Sequence, residues 1–332
     1  MPDGPSRPGW SVVIVGFDGG ELLDRCVASV FAAADEEPEV ILVDNASTDG
    51  SAARVATRPG VRLVSNPRNV GFPRAVNQGL EAATGERVLV LNPDAVLPVG
   101  FFDAARSGLR PDGDHDLISF AQQGDPDLRA TTGPLLTPLE IVRQLVLRRR
   151  GHAELGPVTT RGPFEFRRVT RGYLSGYCLA GARQTFELLG GLDPRLFWAE
   201  DVDLSARAAG TGLVLGVCTS VEVIHARTHS SRRHAALVTF FQMTAKIGYA
   251  RRHAPWSLAV VVPVVAVTAM LRYLWFAVAR RQADGATPKA VAYRAVLSHV
   301  LRGGWRLPDG WDPRVADRLR EAGSPTRSDR DG

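Results

Sequence analysis

Arg87-Val88-Leu89-Val90-Leu91-Asn92-Pro93-Asp94 is a run of apolar, β-branched-rich residues that stops on an Asn-Pro-Asp turn. A short continuous apolar run of this kind reads as a buried strand. Pro93 brings no N–H to a ladder and biases Asn92 toward an extended conformation, so the strand ends there. The carboxylate of Asp94 is therefore expected at the carboxyl edge of a sheet, where open α/β sheets bind their ligands. A hard-cation ligand for a diphosphate-bound metal would be placed this way, and so would a solvated turn aspartate.

Upstream of this strand the chain alternates. Trp10 to Phe17 reads as a buried strand, and Leu22 to Ala34 carries Leu22, Leu23, Cys26, Val27, Val30 and Phe31 at helical spacing. Glu39 to Asp44 is a second strand, Asn45 to Gly50 a polar turn in which Ser47, Thr48 and Asp49 are all good N-caps, and Val61 to Ser65 a third strand. Phe72 to Ala83 reads as a helix with Gly85 as its stop. Strands and helices joined by short connections predict an α/β, doubly wound, mostly parallel Rossmann-like sheet with helices on both faces. The first strand-to-helix turn, Gly16-Phe17-Asp18-Gly19-Gly20, fits neither the GxGxxG fingerprint nor a Walker A loop. A nucleotide bound here needs something else to neutralise its phosphates, most simply a metal.

Downstream, a helix to about Gly108 and a strand at Leu117 to Ala121 continue the alternation. Residues 122–172 lose clear periodicity apart from the helical pattern of Leu139 to Leu147, and Arg148-Arg149-Arg150 suits either an inserted specificity region or a solvated loop. Ser175-Gly176-Tyr177-Cys178-Leu179-Ala180-Gly181 is small enough for backbone to approach a ligand or another strand closely. Then come Glu200, Asp201 and Asp203, three acids in four residues, opening a helix behind the aromatic pair Phe197-Trp198. The helix dipole alone favours carboxylates in a first turn, and aromatic cover beside an acid also suits a tuned base. Strands at Leu213 to Val217 and Val221 to Ile224 lead to His225, by itself more often a structural histidine than a ligand.

Five blocks, in order, resemble the family 2 glycosyltransferases: Ser11-Val12-Val13-Ile14-Val15, Val43-Asp44-Asn45-Ala46-Ser47-Thr48-Asp49-Gly50, Asn69-Val70-Gly71-Phe72-Pro73-Arg74-Ala75-Val76-Asn77-Gln78-Gly79, Leu91-Asn92-Pro93-Asp94 and Trp198-Ala199-Glu200-Asp201-Val202-Asp203-Leu204. The pattern is most similar to the rhamnosyltransferase branch, which builds bacterial polysaccharide and cell-wall glycans, and it spans residues 10 to about 230. The resemblance implies a GT-A fold and an inverting transfer from a nucleoside-diphosphate sugar (dTDP- or UDP-linked, with dTDP-rhamnose expected) to a glycan or lipid-linked acceptor. It implies that Val15, Phe17, Asp18, Asp44 and Asn45 line the pocket for base and ribose, Asp44 accepting the base N–H, and that Asn69, Arg74 and Asn77 lie over the donor. Asn92 and Asp94 take the place of the Asp-x-Asp motif, with Asn replacing its first acid. Asp94 and His225 become ligands of a divalent cation, Mn²⁺ or Mg²⁺, and Asp201 the general base beside Glu200. Asp203 is left to orient the helix start or the acceptor. Many relatives carry Asn where this chain has Asp18.

The chain has 332 residues, 45% hydrophobic and 23% charged, with a formal charge of +5. No nucleic-acid-reading motif accompanies that modest positive balance, and arginines scattered in this way describe solvated faces. Three widely spaced cysteines, Cys26, Cys178 and Cys218, read as reduced core thiols of a cytoplasmic protein. The opening residues carry no signal segment. Residues 1–9 and 304–332 read as disordered tails around a catalytic domain at 10–235 and a helical extension at 236–303. Within that extension, 257–279 is almost wholly apolar but is interrupted by Pro263 and Arg272, with Arg251, Arg252, Arg280 and Arg281 flanking it. It suits a helix seated on the inner face of the cell membrane, or one packed on the catalytic domain or a second subunit. A nucleotidyltransferase on a similar sheet and a non-catalytic nucleotide-sugar binder are the competing readings. The first predicts a basic Gly-rich loop after the first strand, and Gly16 to Gly20 has no basic residue.

Overall fold

The computed structural model describes residues 9–226, 235–278, 288–304 and 319. The predicted tails, apart from Gly9, Gly304 and Leu319, and the arginines at 232–233 and 280–281 lie outside the described residues.

Four strands and two helices follow the expected boundaries to within a residue or two, and a short helix follows the polar turn with Gly50, not Ser47, Thr48 or Asp49, at its N-cap. They are β1 (Trp10–Gly16), α1 (Gly20–Ala33), β2 (Glu39–Asp44), α2 (Ser51–Val55), β3 (Val61–Ser65), α3 (Phe72–Ala82) and β4 (Arg87–Leu91). They pair in parallel in the order β3-β2-β1-β4, with Gly16 opposite Asp44, Asp44 opposite Ser65 and Ile14 opposite Leu91. Their carboxyl ends therefore share one edge. β1 is buried along its whole length because apolar side chains on both of its faces are covered.

Past β4 come β5 (Ala95–Val96), α4 (Phe101–Gly108), β6 (Leu117–Gln122), β7 (Thr132–Gly133), α5 (Pro138–Val146), β8 (Glu154–Arg161) and β9 (Phe164–Arg171). β10 (Tyr173–Leu174), β11 (Cys178–Ala182), α6 (Arg183–Leu189), α7 (Glu200–Gly210) and β12 (Leu215–His225) complete this part. The sheet continues β4-β11-β6-β12-β9-β8, and β11 runs antiparallel to both of its neighbours. The sheet is thus mixed, with a parallel half on the β1 side. Gly181 of β11 suits this close packing: a Cβ there would lie 2.5 Å from the Leu117 Cδ2 tip and 3.0 Å from the Asp116 carbonyl oxygen.

The aperiodic stretch expected at 122–172 contains the β8–β9 hairpin. Its strands are largely exposed and lack an apolar alternation, and the Gly162-Pro163 dipeptide is their one local signal. The two strands expected at 213–224 are one, β12, with a register irregularity between Cys218 and Glu222. Gly85 has a different role from the helix stop expected of it, because α3 already ends at Ala82. Its N–H donates to Ser11 Oγ at 2.8 Å, and a Cβ would lie 2.7 Å from the Ser11 backbone nitrogen. Backbone cannot yield as a side-chain tip does, so Gly85→Ala is expected to cost about 1–3 kcal/mol, read as a lower urea midpoint.

The chain divides into two compact units, and the second gathers 136–150, 194–199 and the residues from 227 onward. It holds α5, α8 (Ala235–His253), a 3₁₀ turn (Pro255–Ser257), α9 (Leu258–Val278) and α10 (Pro288–Leu301). In α9, Val261, Val265 and Thr268 are buried, and Arg272 continues their four-three-four spacing. The arginine therefore turns inward: its Nη2 donates to the Leu145 carbonyl at 3.0 Å and its guanidinium lies over the Tyr293 ring. The outward side chains Trp256, Val260, Val267, Leu271, Leu274 and Trp275 are exposed. Pro255–Ala277 is long and apolar enough to cross a membrane, a test that a core helix of a soluble protein also passes.

Candidate active site

The turn after β4 is built from the backbone. Asn92 N–H donates to the Tyr177 carbonyl at 2.8 Å, and Ala95 N–H donates to the Asn92 carbonyl at 3.1 Å. β5 then pairs antiparallel with the end of β12, setting Ala95 opposite His225. That register carries a side chain from far along the chain to the Asn-Pro-Asp corner. His225 Nε2 is 3.1 Å from Asp94 Oδ1 and 3.3 Å from Asn92 Nδ2. The Tyr177 ring stacks on the imidazole with 4.8 Å between centroids and 14° between planes, and its hydroxyl is tied to the Phe120 carbonyl. His225 Nδ1 is buried with no hydrogen-bond partner among the described residues.

One carboxylate oxygen and one imidazole nitrogen, meeting beside a carboxamide, fit a divalent cation that completes its shell with phosphate oxygens and water. No third His, Cys, Asp or Glu joins them among the described residues. Cys26 lies beneath the turn with Sγ 3.3 Å from the Asn92 carbonyl. Burial first, and then the charge of Asp94, push its thiol far above the ordinary range.

The three acids of α7 divide their work by helical geometry. Asp201 and Asp203 stand two residues apart, about 200° around the helix, and so face opposite ways. Asp203 is fully buried and pairs with Arg207 Nε at 2.7 Å, while the same guanidinium donates to the carbonyls of Leu189 and Gly191. This pair fastens α7 to the end of α6. Removing one partner of a buried pair strands the other, so Asp203→Ala is expected to cost about 3 kcal/mol, measured as a fall in unfolding free energy. Asp201 is half-buried on the other face, where its Oδ2 accepts from Gly176 N–H at 3.2 Å and its Oδ1 from Val202 N–H at 2.8 Å. Glu200 is also half-buried.

One dipeptide links the two clusters. Gly176 touches the Asp201 carboxylate, and Tyr177 holds the Asn92 backbone with its carbonyl and His225 with its ring. Sequence reasoning found the close backbone approach in this Gly-rich run and missed the ring. An aromatic flanked by small residues was the only local signal.

The loops after β1 and β2 are clasped together at the same sheet edge. Asp18, at φ +48°, accepts at Oδ1 from Thr48 N–H at 2.7 Å, and its own N–H donates to Ser47 Oγ at 3.0 Å. Asp44 Oδ1 accepts from Ser47 N–H at 3.0 Å. Val15 is buried at the end of β1 and Phe17 half-buried beyond it. Asn45 and Asn77 are also engaged by the protein's own frame. Asn45 is buried and its Oδ1 accepts from Asn66 Nδ2 and Val70 N–H, each at 3.2 Å. Asn77 clasps Leu192 with both amide atoms, at 2.8 and 2.9 Å. Both hold the frame, because buried amides need partners and the backbone supplies them. Asn69 Oδ1 accepts from Gly71 N–H at 2.9 Å, and Arg74 is exposed in the first turn of α3.

The family model for glycosyl transferase family 2 matches residues 11–105. The N-acetylglucosaminyl-diphospho-decaprenol L-rhamnosyltransferase of Mycobacterium tuberculosis is 32% identical over 276 residues, covering 74% of this chain and 85% of that protein. The O-antigen biosynthesis protein RfbC of Myxococcus xanthus is 29% identical over 246 residues, 69% of this chain but 18% of that much longer protein. Among solved structures, a mannosyltransferase from Pyrobaculum calidifontis in complex with GDP-Man and Mn²⁺ aligns with a TM-score of 0.52, over 97% of this chain and 88% of that one. Its sequence identity is 19%, so the likeness speaks for the fold alone.

Proposed function

The chain belongs to the family 2 glycosyltransferases, and from that membership we propose that it moves a sugar, rhamnose by preference, from a nucleoside diphosphate to a lipid-linked acceptor with inversion at the anomeric carbon. The observation that carries this reading is the contact of Gly176 and Tyr177 with both clusters, the carboxylate of Asp201 and the Asn92–Asp94–His225 corner. An inverting displacement needs a proton acceptor for the incoming hydroxyl and, apart from it, a place for the charge of the departing diphosphate. Asp201 takes the proton of the acceptor hydroxyl as the new bond to the anomeric carbon forms. The two N–H groups on its carboxylate hold it in one orientation, so little reorganisation is required. Asp94 and His225 would hold the divalent cation, with Tyr177 fixing the plane of the imidazole. When bound, the cation supplies Lewis-acid stabilisation of the leaving diphosphate, worth several kcal/mol. Asp44, at the end of β2, accepts the base N–H, and Val15, Phe17 and Asp18 complete that wall.

The outward apolar side of α9 and the basic pair Arg251-Arg252 at the end of α8 suit a peripheral seat on the inner face of the membrane, where a lipid-linked acceptor is presented. The test is calorimetric titration of the purified protein with dTDP-rhamnose, UDP-GlcNAc and GDP-mannose, with and without Mn²⁺. Metal-dependent binding strongest for dTDP-rhamnose is expected. Equal metal-independent binding of all three, or none, would sink the reading.

A further inference from the structure

Two buried polar atoms beside the Asn-Pro-Asp corner lack partners among the described residues, His225 Nδ1 and Gln122 Oε1. Gln122 is the last residue of β6 and is 8% exposed. Its backbone N–H donates to Thr131 Oγ1 at 3.2 Å, and Thr131 is fully buried. In the parallel pairing of β6 with β12, Gln122 stands opposite Val223, so His225, two residues on, projects from the same face of the sheet. The two residues touch: Gln122 Nε2 donates to the His225 carbonyl at 3.4 Å. The amide is held in this sense, because turned over it would set two carbonyl oxygens against each other. A tie between two strand ends needs only the Nε2 end of the side chain. Burying the oxygen as well, without a partner, is a cost that this tie does not explain.

The imidazole has the complementary need. A histidine that gives its Nε2 lone pair to a cation carries its proton on Nδ1, and a ligating histidine ordinarily donates that second ring N–H to an oxygen. Tyr177 stacks on the ring and so fixes its plane, but a stacking contact does not select which nitrogen holds the proton. We propose that Gln122 is the positioning residue for His225: its Oε1 accepts the Nδ1–H, face to face or across one enclosed water, and so keeps the Nε2 lone pair available beside Asp94. One unpartnered donor and one unpartnered acceptor, on two residues already in contact, are thereby satisfied together. The proposal rests on the metal reading of the corner and adds to it a residue from β6, which carries no family motif.

The test is Mn²⁺ affinity in the presence of dTDP, followed by the free-ion EPR signal, for wild type, Gln122→Met, His225→Asn and the double variant of the full chain. Methionine keeps the length of glutamine and offers no carbonyl oxygen. Gln122→Met is therefore expected to bind Mn²⁺ about 10–100-fold more weakly, the usual effect of removing the partner of a ligating histidine. In the His225→Asn background the same substitution should change affinity less than about twofold, because Gln122 acts through the imidazole. A full loss that persists in that background would leave Gln122 as a tie between strand ends and overturn the proposal, as would wild-type affinity in Gln122→Met. Wild-type protein with isotope-labelled histidine, loaded with Mg²⁺ and dTDP, gives a second reading that needs no folded Gln122 variant. A ring N–H resonance from His225 Nδ1 that exchanges slowly with water is expected, and a proton on Nε2 in its place would overturn the proposal. Failure of wild type to bind Mn²⁺ at all would sink the metal reading of the corner first, and this proposal with it.

Discussion

Replacement of Asp201 by asparagine is expected to lower turnover by about 10²–10⁴-fold at saturating donor, the range over which a positioned general base acts. Asparagine is nearly isosteric but has one acceptor oxygen, so it can serve either the Gly176 or the Val202 N–H and gives up the other contact, at a cost of about 1 kcal/mol. The loss of turnover should appear in kcat, with donor affinity close to wild type and stability lowered by no more than that one hydrogen bond. This pattern separates Asp201 from Asp203, two residues away, whose removal should cost stability because it is buried against Arg207. Near-wild-type turnover of Asp201→Asn would move the base elsewhere, with Glu200 the next residue to test.

The second large effect is expected at the Asn-Pro-Asp corner. Asp94→Ala removes the one carboxylate that meets His225 Nε2, leaving a single imidazole to hold a divalent ion. Loss of several kcal/mol of leaving-group stabilisation corresponds to roughly 10³-fold in turnover. The more direct readout is Mn²⁺ binding in the presence of nucleotide diphosphate, followed by the loss of the free-ion EPR signal. Wild type should bind the ion and Asp94→Ala should not. A variant with an unchanged metal dependence would show that the ion, if one is used, sits elsewhere. Because the Asn92 turn is held by backbone hydrogen bonds to Tyr177 and Ala95, and not by the Asp94 side chain, this substitution is expected to leave the fold intact.

The first half of the sheet was legible because its signals are local. β1, β2, β3 and β4 are short apolar runs bounded by polar turns, and α1 and α3 carry apolar residues at helical spacing. The corner after β4 followed from Pro93, which brings no N–H to the ladder of a central strand, whereas Pro157 is tolerated within β8 at the sheet edge. Motif order then placed Asp94 and Asp201 on this chain with no knowledge of their surroundings. The β8–β9 hairpin escaped because exposed strands carry no burial pattern to read.

What tertiary structure alone decided is partnership. Nothing near His225 in the sequence says that β12 pairs with β5, and a register one residue different would have turned its imidazole to the other face. The antiparallel β11 is likewise invisible locally, since strand direction is set by the path of the chain between strands, not by the residues within one. Asn45 and Asn77 matched family positions, yet their amides are claimed by Asn66, Val70 and Leu192. A hydrogen-bonding side chain advertises its chemistry in the sequence but not its partner, because the partner is fixed by contacts far along the chain. Residue type and spacing thus determined which groups this protein has to work with; packing determined which hold the frame and which face the site.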